Sequence, residues 1–236
     1  MIDGVKIGPM LQIVVQGFDS TGKKHILGFR QGSTESSETC MEVFHDLVRR
    51  NLKLDHLILV VIDGSPALRK AVDAFLGDHA VVQRCMIHKI KNVLDKLPKK
   101  YHAEYRRKIS AAYGMNTEVD ARRAFLSVIR DLRRICDDAA ECLAKNLDEL
   151  LTLHRIGLPA VLRKTFSTTT SIESAFSYLR KVLRNVKRWR KATNQVQRWA
   201  GTGLLMAEKR FRRITGYRSL SILIAGLQTH NCQQAA

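Results

Sequence analysis

Six consecutive apolar residues, Leu57-Ile-Leu-Val-Val-Ile62, followed at once by Asp63, constrain the fold more than any other stretch of this chain. A short, largely β-branched run of this kind reads as a strand buried on both faces, not as one stripe of an amphipathic helix. Gly64 and Ser65 break the strand, and Pro66 suits the first position of a helix capped by Ser65. Asp63 therefore stands at the carboxyl end of a central strand, where open α/β sheets place their sites. Taken alone it reads first as the turn partner of Gly64, as in many Asp-Gly pairs.

The segments around this strand supply the rest of a sheet. Strands are expected over Met1–Gly8, Leu11–Gln16 and His25–Phe29, with Asp19-Ser-Thr-Gly22 as a turn, which makes an antiparallel meander. From Glu38 to Arg50 the period changes, and Met41, Phe44, Leu47 and Val48 share a helical face. The helix from Pro66 reaches about Phe75, Gly77 and Asp78 end it, and Ala80–Arg84 is a fifth short strand. The order β-β-β-α-β-α-β over residues 1–84 is the ribonuclease-H-like arrangement, an α/β fold with a mixed sheet. Fold of this kind does not fix function.

From Asp95 to Leu162 every apolar pattern is helical, with Phe125, Ile129, Leu132 and Cys136 in one stripe and Cys142, Leu143, Leu147, Leu150 and Leu151 in another. Further helices are expected over Ile172–Lys191 and Gln195–Arg213, and the polar end from Gln228 is expected to fray. Three regions follow: 1–94 as the first part of the core, 95–162 as an all-helical insertion, and 163–236 as the end of the core with basic helices.

Charge distribution narrows the partner. The chain of 236 residues has a formal charge of +18, and residues 161–236 hold 15 Lys and Arg against Glu173 and Glu208 alone. Such asymmetry implies a localised surface for a polyanion, nucleic acid before membrane. Between Ser174 and Ala207 there is no acid, while Arg180, Lys181, Arg184, Lys187, Arg188, Arg190, Lys191 and Arg198 accumulate among Tyr178, Trp189 and Trp199. A row of cations suits a phosphate backbone; the aromatics either stack on bases or belong to the core. No apolar run approaches a membrane span and no signal-peptide pattern opens the chain. Five scattered cysteines, an odd number, fit a reduced, cytoplasmic setting.

Three acids stand out as a possible set. Asp3 lies on the first strand and Asp63 at the end of the fourth, which are neighbours in this arrangement; Glu173 opens a helix beyond the insertion. Carboxylates so gathered suit Mg²⁺ or Mn²⁺, and a pair of such ions can clamp an in-line phosphoryl displacement. Each acid has a plainer role as well: Asp3 beside Gly4 in a turn, and Glu173 closing a capping box in Thr170-Ser-Ile-Glu173. Cys85-x-x-His88 is half of a zinc site, but no second pair follows at useful spacing.

The ordered set Asp3-Gly, Val61-Ile-Asp63-Gly-Ser, Gln83-Arg-Cys85-x-x-His88-Lys-x-x-Asn92 and Ser171-Ile-Glu173-Ser resembles the Mutator-type transposases of bacterial insertion sequences. Arg184-Asn-Val-Lys-Arg-Trp189 and Glu208-Lys-Arg-Phe-Arg-Arg-Ile-Thr-Gly-Tyr217 are similar to the same family's C-terminal region, so nearly the whole chain is covered. The resemblance implies that Asp3, Asp63 and Glu173 are a catalytic, metal-holding triad, with Cys85 and His88 as a supporting pair. It implies a ribonuclease-H-like core interrupted between Asp63 and Glu173, metal-dependent cleavage at element ends, and attack of a 3′-hydroxyl on target DNA by a possible homo-oligomer. Family members carry a further N-terminal region that recognises element ends, so this chain is expected to be N-terminally truncated. An inactive remnant that binds DNA non-specifically is the alternative expectation, and a nuclease or resolvase that does not transpose is a third.

Overall fold

The computed structural model describes residues 1–32, 36–190 and 193–234, and side chains as far as Thr229. Five strands, β1 (Ile2–Ile7), β2 (Met10–Phe18), β3 (Lys24–Gly32), β4 (Ile58–Ile62) and β5 (Ala80–Arg84), form one sheet in the order β3-β2-β1-β4-β5. The meander β1-β2-β3 is antiparallel, whereas β4 runs parallel to β1 and β5 parallel to β4. The element order over residues 1–84 is the one the sequence pattern gives.

Local chemistry explains the connections. Gly8 and Pro9 join β1 to β2 in two residues, and Gly8 takes φ +54°, as the first position of such a turn requires. Helix α1 (Ser37–Arg49) is capped by Ser36, whose hydroxyl accepts from the Thr39 amide. Helix α2 (Pro66–Leu76) begins as expected: the Ser65 hydroxyl accepts from the Leu68 amide, and Pro66 occupies the first turn.

Side-chain alternation then sorts the strands into two faces. Ile2, Ile13, Val15, Val60, Ile62 and Val82 pack against α1 and α2. On the other face, Val5, Ile7 and Val14 meet α10 (Thr170–Leu183) and α11 (Gln195–Glu208). Met1, Leu57, Val61 and Val81 meet α8 (Thr152–Arg155), α9 (Ala160–Phe166) and α12 (Leu220–Gln234). The β4 run is thus covered on both sides, as its composition demands.

Helices α3 (Met86–Leu94), α4 (His102–Tyr113), α5 (Glu118–Arg133), α6 (Asp137–Ala144) and α7 (Leu147–Leu150) share a separate apolar core that contains Tyr105, Phe125, Leu132 and Leu143. This core is tied to the sheet by ions as well as by packing. Glu149 on α7 accepts from Arg69 of α2 at 2.8 Å and from Arg84 at the end of β5. Burial pushes the Glu149 carboxyl up, but those two guanidinium bonds outweigh it and hold it below its usual value. Glu149→Gln leaves two partly buried cations short of a counter-charge, and the expected cost is ~2 kcal/mol, read as a lowered urea midpoint with unchanged slope.

Two helical expectations are corrected. Helix α10 ends at Leu183, not Lys191, because Val186 and Trp189 turn back to pack on the β1–β2 end of the sheet. Helix α11 ends at Glu208, not Arg213, and the segment after it forms α12 with Leu220 and Leu223 buried. Among the described residues no helix is long and apolar enough to cross a membrane.

Candidate active site

Register places the two aspartates. Ile2 pairs with Ile62 across the parallel β1–β4 contact, so the next residues, Asp3 and Asp63, leave that pair side by side. Ile2 and Ile62 both face α1 and α2. By alternation Asp3 falls on the opposite face, the one carrying α10, and Asp63 follows β4 toward that side. Asp3 is buried, and its Oδ1 accepts from the Gly4 amide at 2.7 Å. Asp63 Oδ1 accepts from the Ser65 amide at 2.9 Å, so its turn role is real. Oδ2 of both residues has no hydrogen-bond donor among the described residues. Gly64 keeps the corner narrow, since a Cβ there would stand 3.3 Å from Asn92 Nδ2.

Glu173 arrives from the first turn of α10, but not through the expected capping box. The helix starts one residue earlier, with Thr169 at the cap, and no side-chain cap bond forms. Instead the Thr169 hydroxyl donates to Glu173 Oε1 at 2.9 Å. The same residue lies within 3.4 Å of Cys85 Sγ through both its amide and its hydroxyl, and its hydroxyl lies 3.4 Å from His88 Nδ1. Thr169 is fully buried and ties the helix start to the Cys85–His88 turn. The run Thr168-Thr-Thr-Ser171 signals a helix start, but nothing in it says which threonine reaches inward.

These groups act on one another's charge. Burial raises the Asp3 carboxyl; the Gly4 amide and His88 oppose this, the charges of Asp63 and Glu173 add to it, and the result is about 6. His88 is raised to about 9, first by its hydrogen bond with Cys85, against burial, and then by the negative charge on Cys85, Asp3 and Asp63. Burial pushes the Cys85 thiol up, but hydrogen bonds from His88 and Thr169 bring the net shift below its usual value. At neutral pH His88 is therefore an imidazolium, 3.9 Å from Glu173 Oε1, and the cation inside an acid cluster.

Cys85, His88 and Glu173 each offer a ligand atom within 4.8 Å of the others. Three donors fall short of the four of a structural zinc site, and the Thr169 bonds already account for their closeness. Asp3, Asp63 and Glu173 are the harder donor set. Their mutual repulsion, felt at Asp3, is what a divalent cation relieves, and carboxylate oxygens suit Mg²⁺ or Mn²⁺.

Beyond this cluster Arg180, Lys181, Arg184, Lys187, Arg188, Arg190 and Arg198 are exposed, and none makes an ion pair among the described residues. Lys191 lies outside the described residues. Arg184–Arg190 sit on irregular chain after α10, not on a helix. Trp189 packs on the β1–β2 turn, where its ring fills the space a Gly8 side chain would need. Tyr178 lies under Arg210 at 5.2 Å, and Trp199 is 44% exposed. Of the three aromatics, Trp199 is the exposed one, and Tyr178 and Trp189 are half-buried.

The fold is thus a mixed α/β core with Asp3 and Asp63 on adjacent inner strands, and its C-terminal part carries exposed cations without ion pairs among the described residues. Residues 5–200 match the Mutator family of transposases, and the chain belongs to that family. The match takes in Asp63, Cys85, His88 and Glu173 and starts just past Asp3. The chain is 28% identical over 221 residues to the transposase for insertion sequence element IST2 of Acidithiobacillus ferrooxidans, covering 92% of this chain and 71% of that protein. It is 28% identical over 186 residues to the transposase for insertion sequence element IS6120 of Mycolicibacterium smegmatis, covering 76% of this chain and 56% of that protein.

Proposed function

We propose that this chain is the catalytic part of a DNA transposase, acting through metal-dependent strand cleavage and strand transfer on a ribonuclease-H-like core. One observation carries the reading: Asp3 and Asp63 leave adjacent parallel strands together, within electrostatic reach of Glu173. The sheet order with an antiparallel meander and two parallel strands supports the core assignment. On this reading residues 1–94 and 163–236 build the core around the helical insertion at 95–162.

Asp3, Asp63 and Glu173 would hold Mg²⁺ or Mn²⁺, which when bound supplies charge for the attacking and leaving oxygens. The Gly4 and Ser65 amides orient Asp3 and Asp63, and Thr169 orients Glu173, each leaving carboxylate oxygen free for the ion. His88, as the imidazolium, offsets acid charge and is a positioning residue, with Cys85 supporting it. Exposed cations from Arg180 to Arg198 hold phosphates of element ends and target DNA, in the bacterial cytoplasm and in an assembly that synapses two ends.

The test is a supercoiled plasmid carrying element ends, incubated with the purified chain and Mg²⁺, Mn²⁺ or chelator. Metal-dependent nicks and joined strands are expected. Nicks without joining would mean a nuclease of the same fold. Salt-sensitive binding with no nicking under any metal would leave only the DNA-binding reading. For the binding surface, Arg180→Ala with Lys181→Ala should flatten the plot of log affinity against log salt by about 2, without changing sequence preference. Fluorescence anisotropy on two unrelated duplexes measures this.

A further inference from the structure

Helix α5 buries Ala121, Phe125, Val128 and Leu132 in the core it shares with its neighbours. Its opposite side is not a plain solvated face. Val119, Arg123, Leu126, Arg130 and Arg133 recur there at alternate spacings of four and three, and all five are exposed. Val119 is 64% exposed and Leu126 48%, and the turn after the helix adds Ile135 at 39%. Apolar groups at heptad spacing on an exposed face are the pattern of a helix that meets another helix.

Beside this stripe runs a groove of about 400 Å³, walled by Arg123, Leu126, Arg130 and Arg133 on one side and by Ala144 and Leu147 on the other. Ala144 ends α6, and helical period puts Glu141 and Asp137, three and seven residues earlier, on its face of that helix. One rim of the groove is therefore cationic and the other acidic. Both sets of charges are open: among the described residues Arg130, Arg133, Asp137, Asp138 and Glu141 form no ion pair, although α5 and α6 pack together. Phosphate suits only one of the two rims, since the other would repel it. Residues 95–162 also hold 13 Lys and Arg against 10 acids, so two copies of this strongly basic chain meet here with little net repulsion.

We propose that the outer face of α5 and α6 is a self-association surface, and that its occupant is the same face of a second copy related by a two-fold axis. In such an isologous contact the same patch serves both copies, so a face that carries both signs of charge complements itself. Arg130 and Arg133 of each copy oppose Asp137 and Glu141 of the other, and Leu126 of each enters the other's groove. The 16 residues of α5 span about 24 Å and two helices side by side about 20 Å, so each copy contributes roughly 500 Å². That lies at the low end of specific interfaces, and the dimer is a reversible one with micromolar affinity. This surface would serve the assembly of the proposed activity without depending on it.

The test is sedimentation velocity on the full chain without DNA, across the micromolar range. Arg130→Glu with Arg133→Glu makes both rims acidic, and Asp137→Lys with Glu141→Lys makes both basic. Each double variant alone is expected to dimerise more weakly by about tenfold or more, because like charges then meet across the axis. An equimolar mixture of the two should regain the dimer as a heterodimer, since each rim again finds its opposite. Leu126→Gln, which alters no charge, should also weaken the dimer. All these positions are exposed, so melting temperatures should stay within a few degrees of the unsubstituted chain. A chain that stays monomeric throughout would overturn the proposal, as would dimers indifferent to all three variants or a mixture that fails to recover them. Duplex DNA affinity lost in the arginine variant, with sedimentation unchanged, would make this a nucleic-acid surface and equally overturn it. No readout involves cleavage, so the outcome is distinct from that of the proposed activity.

Discussion

Asp63→Asn is expected to lower metal-dependent strand cleavage by roughly 10³-fold or more, several kcal/mol of transition-state stabilisation. The substitution is chosen for what it keeps. Asn retains an oxygen in the place of Oδ1, which accepts from the Ser65 amide, so the turn into α2 survives. What it loses is one negative charge and an ionic oxygen at the point where β4 leaves the sheet. DNA affinity, carried by cations on other elements, should change by less than about twofold. A gel assay with matched binding curves separates the two, and cleavage at the unsubstituted rate would remove Asp63 from the chemistry.

The second large effect concerns stability. Asp3 titrates at about 6 in the folded chain against an ordinary 3.8, chiefly because it is buried. A carboxyl raised by folding stabilises the fold when protonated, so this contribution is full below pH 3.8 and lost as the pH climbs through 6. In the presence of chelator, stability should therefore fall across this window as Asp3 ionises. At about 1.4 kcal/mol per pKa unit the ionised Asp3 costs ~3 kcal/mol at pH 7. Asp3→Asn, which can still accept from Gly4, should be stabilising by about that amount and should flatten the profile over this range. Urea midpoints at pH 4, 5, 6 and 7 test the sign. A destabilising Asp3→Asn at pH 7 would refute it. Adding Mg²⁺ should stabilise the unsubstituted chain and not the variant, since a fold that tolerates a costly carboxylate regains the cost when a cation binds it.

Much of this was legible in the chain. The β4 run, the meander and the Ser65-Pro66 helix start follow from composition and period, since each is set by neighbours in sequence. That Asp3 and Asp63 lie on neighbouring strands was an expectation of the assumed arrangement, and the Ile2–Ile62 register meets it. α12 was not, for its apolar residues are spread around the helix instead of forming a stripe. Glu173 looked like half of a capping box, and the helix instead begins at a position set by Thr169, whose partners Cys85 and His88 lie more than 80 residues away in the sequence.

The sequence by itself determined the succession of strands and helices along the chain and the charge asymmetry, because these rest on local period and composition. Tertiary structure decided which groups share a field: that His88 lies among the acids as a cation, and that Trp189 is spent on the Gly8 turn. Those outcomes depend on distances between elements far apart in the chain, and such distances are fixed only when the apolar faces pack.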